Sequence, residues 1–452
     1  MLTYELKKVP GLPLYEALYR HIREDILSGR LAPGEKLPSK RALAANLEVS
    51  KITVETAYQQ LLSEGYIASR EKVGYFVEKT VHTAVAPPPP VPEPEPEEAL
   101  LDLTANGPAH FPFSVWTRLQ REVMLDYGQQ LLRPLHNQGC PELRRAIAAH
   151  LADFRGMTID PDNILVGAGT DFLCNLLIQL LGREPVYAVE EPGYGKIRRI
   201  YTAGGVRIRQ APLDTQGVLP QALGDARVLH ISPSHHFPTG LVTPVSRRLE
   251  LLQWAQKVGG WIIEDDYDSE FRFHSRPVPA MHTLDRQGRV IYLNTFSKSL
   301  APSIRISYMV LPTALMERFR RELGFYGCTV ASFEQYTLAR FLDRGWFEKH
   351  INRMRKFYRA RRDRVAAALE RCPLADRFTL LEQDAGLHFL LKVRTELSDR
   401  DLVARFREAG VLVSALTGFY SDAAPENNAR CLVINYSGLD EEQLWRLEHV
   451  TL

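Results

Sequence analysis

Lys298 sits in the stretch Asn294-Thr-Phe-Ser-Lys-Ser-Leu-Ala-Pro-Ser-Ile-Arg305, directly after the apolar run Val290–Leu293. A lysine amine can bond the aldehyde carbon of pyridoxal phosphate, chemistry that asks for a fixed backbone at a strand end and surroundings that lower the amine's pKa. The hydroxyls of Thr295 and Ser297 and the guanidinium of Arg305 could hold the phosphate through charge-assisted hydrogen bonds. Taken alone, the motif is equally a solvated loop lysine between loop serines. Three other stretches bear on the choice.

Gly167-Ala168-Gly169-Thr170 follows the run Asn163–Val166 and leads into the apolar helix Phe172–Leu177. Small residues feeding a helix N-terminus leave backbone N–H groups and a positive dipole end for a phosphate; a plain glycine turn is the alternative. Glu191-Pro192-Gly193-Tyr194, after the run Pro185–Val189, could set a ring over a planar cofactor or simply bury a tyrosine. After Trp261–Ile263 come Glu264, Asp265, Asp266, Asp268 and Glu270, five carboxylates in seven residues, with Tyr267 among them. Such a cluster is costly at a strand end unless its members have partners. A carboxylate beside a pyridine nitrogen keeps that nitrogen protonated, and a tyrosine hydroxyl can bond a phenolic oxygen. No histidine stands at ligand spacing in the cluster, which argues against a metal; a solvated acidic loop is the other alternative.

The elements that must position these residues are apolar runs alternating with helical patterns, the fifth run being Arg227–Ile231. Strands apolar on both faces predict a mostly parallel sheet covered by helices, an α/β fold whose ligands sit at the carboxyl ends of the strands.

The 452 residues, 45% hydrophobic and 24% charged, exceed a single ordinary domain. A formal charge of +2 excludes a bulk polycation, so any nucleic-acid contact must come from local charge. Five cysteines, with no paired spacing, suggest neither a disulfide framework nor a zinc site and fit reduced thiols. The start lacks an apolar leader, and no run reaches the roughly 18 apolar residues of a membrane span. A cytoplasmic protein is expected.

In residues 1–80, Pro13 opens a helix in which Leu14, Leu18, Ile22 and Ile26 recur every fourth position. Ser39 can cap a short second helix and Ser50 a third, whose Val54, Ala57, Tyr58, Leu61 and Leu62 form an inner stripe. That is a helix-turn-helix, with Lys51, Thr53 and Thr56 facing outward near the start of the third helix. Two strand-like pieces, joined through Arg70, Lys72 and Gly74, read as a wing. The module holds 12 Lys or Arg against 10 Asp or Glu, so one copy should bind DNA weakly and tight binding should need two. Pro87–Pro90 and the Pro/Glu alternation after it form a linker over residues 81–100, a semi-rigid spacer or a loose tether.

Leu37-Pro-Ser-Lys-Arg-Ala-Leu-Ala and Val49-Ser-Lys-Ile-Thr-Val resemble the winged helix-turn-helix of the GntR family. The resemblance implies that Ser39, Arg41, Ser50, Lys51 and Thr53, with Arg70 and Lys72 of the wing, touch double-stranded DNA. Lys51 departs from the family's usual arginine, which weakens a bidentate contact to guanine.

Residues 101–452 resemble the fold-type I aminotransferases. By that resemblance Ala168, Gly169, Thr170, Thr295, Ser297 and Arg305 hold the phosphate and Tyr194 stacks on the ring. Asp265 pairs the ring nitrogen, Tyr267 the phenolic oxygen, and Lys298 carries the Schiff base. The whole chain, with Ser234-His-His-Phe-Pro-Thr-Gly, resembles the GabR-like MocR subfamily of GntR transcriptional regulators. That implies a head-to-tail homodimer on paired half-sites, with pyridoxal phosphate itself, or an amino compound forming an aldimine at Lys298, as the effector. The rival reading is a working aminotransferase with an accessory DNA-binding module. Two departures speak against turnover. Phe237 stands where the enzymes have asparagine before Pro-Thr-Gly, and Val433 stands where they place the arginine that clamps a substrate carboxylate. The arginine-rich stretch Arg353–Arg364 reads as a solvated face or a DNA-backbone contact.

Overall fold

The computed structural model describes residues 2–4, 6, 13–79, 100–105, 107, 110–273, 278–382, 386–422 and 424–451. It divides into two compact units, Met1–Pro96 and Glu97–Leu452. The expected linker, residues 81–100, lies outside the described residues except at its last position.

In the first unit the four-residue periodicity becomes α1 (Leu14–Leu27), with Pro13 one position earlier than expected, as the residue before the helix. Its buried face, Leu18, Ile22 and Ile26, packs against α3 (Lys51–Ser63) through Val54, Ala57, Tyr58 and Leu61. Ser39 caps α2 (Lys40–Asn46) by accepting from the Ala42 amide at 3.2 Å, and Ser50 caps α3 from Thr53 at 3.1 Å. β1 (Ile67–Arg70) and β2 (Gly74–Val77) pair antiparallel as the wing. Lys40 joins these elements, bonding Glu55 of α3 at 2.7 Å with its ammonium 5.3 Å from the Tyr75 ring centre.

In the second unit, β3 (Leu101–Asp102) pairs with β14 (Val411–Leu412). The main sheet comprises β4 (Ile164–Gly167), β5 (Val186–Glu191), β6 (Ile208–Asp214), β7 (Gly217–Val218), β8 (Ala226–Ile231), β9 (Trp261–Asp265), β10 (Val290–Thr295) and β11 (Ser307–Val310), in the spatial order β4-β11-β10-β9-β8-β5-β6-β7. The five apolar runs all become strands within a residue or two of their expected ends. β6, β8, β9 and β10 join β5 in one parallel block, while β11 runs antiparallel to both β10 and β4. A second, antiparallel sheet, ordered β12-β13-β16-β15, is built from β12 (Phe378–Leu381), β13 (His388–Val393), β15 (Ser414–Ala415) and β16 (Cys431–Asn435). Among the described residues no helix is long and apolar enough to cross a membrane.

The arginine-rich stretch lies on the helix Trp346–Arg371, where Arg353, Lys356, Arg359 and Arg364 are exposed, as a solvated face requires, while Arg355, Arg361 and Arg362 are half-buried or buried. Arg355 Nε donates to the Glu270 carbonyl at 2.6 Å, Arg359 to the Phe273 carbonyl, and Arg361 to the Ser437 carbonyl at 2.7 Å. These guanidiniums donate to loop carbonyls and so tie the acidic loop and the end of β16 to the helix.

Candidate functional site

Strand direction gathers the site. Gly167, Glu191, Ile231, Asp265 and Thr295 end β4, β5, β8, β9 and β10 at the same edge of the sheet, and the residues after them line one cavity of about 220 Å³. Thr170, Tyr194, Asp265, Tyr267, Thr295, Ser297, Lys298 and Arg305 all border it. Ala168 and Gly169 are not among its lining residues but form the turn beneath it. The Ala168 amide donates to Thr329 Oγ1 at 3.0 Å, so this donor is engaged within the protein.

Gly169, at φ +92°, precedes the helix Thr170–Leu181, and a Cβ there would come within 2.6 Å of Arg305 Cζ. The guanidinium therefore closes on the turn with its Nη2 end nearest, and glycine leaves it room. Arg305 is itself in the left-handed region, φ 51°. Asp171 Oδ2 fixes it at 3.2 Å and takes Lys196 Nζ at 2.6 Å. Asp171 and Lys196 were not singled out in the sequence, although an acid in a helix's first turn beside a glycine turn is a readable signal. Thr295 Oγ1 receives the Ser297 amide at 3.1 Å and the Ser307 hydroxyl at 2.7 Å, which orients the short helix Phe296–Ser299 carrying Lys298.

Burial lowers the Lys298 pKa below that of an ordinary lysine, and Asp268 and Asp265 oppose that shift. All five carboxylates of the acidic cluster are buried or half-buried, so the solvated-loop alternative fails. Glu264 accepts the Met281 amide at 2.8 Å and the His282 amide at 2.9 Å. Asp266 faces Arg155 at 3.1 Å and the Tyr292 hydroxyl at 2.6 Å. Asp265 lies 3.5 Å from His230 Nε2, and His230 Nδ1 is held by the Tyr201 hydroxyl at 2.6 Å. Asp268 pairs with His235. The histidines at positions 230, 235 and 388 were missed; a histidine ending the apolar run Arg227–Ile231 was the available clue.

Tyr194 is 54% exposed and meets Phe237 edge-on, 5.8 Å between ring centres. Phe237 packs with Phe419 against Val433, Leu390, Leu416 and Cys431. The position of the enzymes' carboxylate clamp is thus an apolar cluster, and Arg430 is turned away onto Glu426 at 2.8 Å.

The pocket fits pyridoxal phosphate. Asp265 Oδ1 and Ser297 Oγ are buried without a hydrogen-bond partner among the described residues, one an acceptor for a ring N–H and the other a donor for a phosphate. A half-buried lysine of depressed pKa, an open helix start and a guanidinium seated over glycine complete the set.

In the first unit Ser39, Arg41, Lys51, Arg70 and Lys72 are exposed. Ser50, also exposed, bonds the half-buried Thr53 hydroxyl at 2.8 Å, so both hydroxyls serve the cap before any DNA. Arg70 lies over the Phe76 ring at 4.5 Å, which steadies the wing. Ile52, on the first turn of α3 and 74% exposed, was overlooked because the sequence search favoured polar donors.

Two family descriptions match the chain: "Bacterial regulatory proteins, gntR family" over residues 14–77 and "Aminotransferase class I and II" over residues 98–449. The probable rhizopine catabolism regulatory protein MocR of Rhizobium meliloti is 34% identical, covering 97% of this chain and 93% of its own. The pyridoxine biosynthesis transcriptional regulator PdxR of Corynebacterium glutamicum is 32% identical, covering 96% and 94%. A kynurenine aminotransferase structure from Pyrococcus horikoshii aligns over 78% of this chain and 91% of its own, at 26% identity and a TM-score of 0.68. With a DNA-binding winged module and a pyridoxal phosphate fold matched end to end by these regulators, the chain belongs to the MocR-type GntR family of transcriptional regulators.

Proposed function

We propose that this pyridoxal-phosphate-dependent regulator uses the ligand state of the Lys298 pocket to set how paired winged modules meet an operator. Residues 1–80 form the DNA-binding module, 81–100 the spacer and 101–452 the effector domain. The observation that carries this reading is a lysine site built for the cofactor beside an apolar cluster at Val433, where turnover of an α-amino acid would need a cation. When bound, the cofactor supplies an aldehyde that captures amines and a ring that withdraws electrons. Around it, Lys298 would offer the amine, Asp265 would hold a proton at the ring nitrogen, and Tyr267 would donate to the phenolic oxygen. Tyr194 would cover the ring, while Thr170, Thr295, Ser297 and Arg305 would seat the phosphate above the turn that Ala168 and Gly169 form.

On DNA, Ser39, Arg41, Ser50, Lys51 and Thr53 meet the major groove and its phosphates, and Arg70 and Lys72 follow the backbone from the wing. A charge surplus of only two per module makes a head-to-tail homodimer on two half-sites the fitting assembly. The protein acts in the cytoplasm. Its effector is pyridoxal phosphate itself or an amino compound. The relatives' names, pyridoxine biosynthesis and rhizopine catabolism, span both, and the apolar cluster at Val433 favours the cofactor. Coupling requires that the effector bind the two DNA-binding states with different affinity.

Borohydride reduction of the loaded protein, followed by peptide mass spectrometry, is expected to place the cofactor on Lys298, with no sustained turnover of amino donors and a keto acid. A label elsewhere, or many turnovers per site, overturns the reading in favour of an aminotransferase with an accessory module.

A further inference from the structure

We propose that Asp268, held in place by His235, keeps the proton on the Lys298 nitrogen, and that His235 is its positioning residue. The proposal rests on Lys298 being the cofactor lysine. Asp268 Oδ2 lies 2.7 Å from His235 Nδ1, and both side chains are 2% exposed. The Tyr267 hydroxyl lies 3.3 Å from the same Nδ1. With Nδ1 carrying the proton, the shorter contact makes Asp268 the acceptor and ties its carboxylate to His235 at the wall of the cavity it lines with Lys298.

The ring is packed on two sides: it lies so close to Gly386, whose φ is +72°, that a Cβ there would overlap the imidazole, and His388 packs against it at 4.7 Å between ring centres.

The charges around Lys298 leave this role to Asp268. Asp268 and Asp265 are the two acids that oppose the burial of the Lys298 ammonium. A protonated ring nitrogen held by Asp265 would match that carboxylate and offset its field at Lys298. Asp268 then remains the cavity acid that the ring nitrogen would not offset.

The other groups lining the cavity do not replace it. Burial lowers the His388 pKa well below the ordinary value, which keeps the ring neutral. Glu190 is pushed up to about 8 by burial. Asp171 is paired with Lys196 and Arg305, and Glu191 stands 3.9 Å from Arg198. His230 is committed to Tyr201 and Asp265. No bond is made or broken in this role; only the residence of one proton is set.

The test is a pH titration of the bound cofactor's visible absorbance in the full-length loaded protein, beside cofactor-free protein in which amine-directed labelling of Lys298 is followed against pH by mass spectrometry. Asp268→Asn is expected to lower both midpoints by about one pH unit, tenfold in proton affinity. His235→Gln, which leaves the acid but frees it to turn, lowers them by less; it decides the matter if Asp268→Asn does not fold. Unchanged midpoints in folded variants overturn the proposal. A wild-type protein that takes no cofactor overturns the functional reading, while the labelling arm still reports on Asp268.

Discussion

Replacing Gly169 by alanine tests the phosphate cradle where the structure is most specific. The added methyl would meet Arg305 Cζ at 2.6 Å and its Nη2 closer still, and the backbone is held at φ +92°. A non-glycine residue at such a φ costs on the order of 1–3 kcal/mol. Arg305 can relieve the clash only by leaving its seat, which removes one hydrogen bond between charged groups, about 1.5–3 kcal/mol. At 1.4 kcal/mol per tenfold, cofactor affinity should fall by roughly 10- to 150-fold. The assay is equilibrium titration of cofactor-free protein with pyridoxal phosphate, with urea unfolding alongside to separate the backbone strain. An alanine variant that binds the cofactor within about twofold of wild type would refute the seat assigned to Arg305.

Other consequences are as direct. Arg155→Met strands Asp266, whose partner lies at 3.1 Å with both side chains at most 2% exposed, and should cost about 3–5 kcal/mol in urea unfolding. Burial pushes the Asp266 pKa up, but Arg155 and hydrogen bonds from Ser234, Tyr292 and Ser269 hold it below the ordinary value. Its stabilisation is therefore present above the unfolded carboxylate pKa and is lost as pH falls below it; the Arg155→Met variant should lack that acid limb. Glu270 behaves oppositely. Burial raises it to about 8, so stability falls as pH climbs from its ordinary 4.5 toward 8, and Glu270→Gln should flatten that slope in pH-dependent melts. On DNA, Arg41→Ala or Lys72→Ala should reduce the salt slope of binding by about 1 per module. Ile52→Ala should instead weaken only the preferred sequence with the slope unchanged, because an exposed branched side chain on α3 can meet only a thymine methyl or a sugar.

The strands that carry the site were legible because parallel strands buried on both faces read as unbroken apolar runs. Their C-terminal ends then pointed to Tyr194, Asp265 and Lys298, which the fold brings to one cavity. β11 was not legible: Ser307–Val310 follows the lysine motif so closely that it reads as its tail, and only pairing to β4 and β10 makes it a strand. Long-range partners were equally hidden. His235 and Asp268 are 33 residues apart, and Arg355 serves a carbonyl 85 residues away, pairings that composition does not show. Ile52 was missed for the reverse reason, an apolar residue placed where polar contacts were sought.

The central claim, that the Lys298 pocket governs DNA binding, is tested most directly by fluorescence anisotropy of a labelled fragment from immediately upstream of the gene. Wild-type protein and Lys298→Ala are titrated with and without pyridoxal phosphate, and then with amino compounds. The account predicts that operator affinity or its salt dependence changes with the pocket's ligand in wild type, and that the folded Lys298→Ala protein binds DNA without responding. An identical ligand response in Lys298→Ala would contradict it.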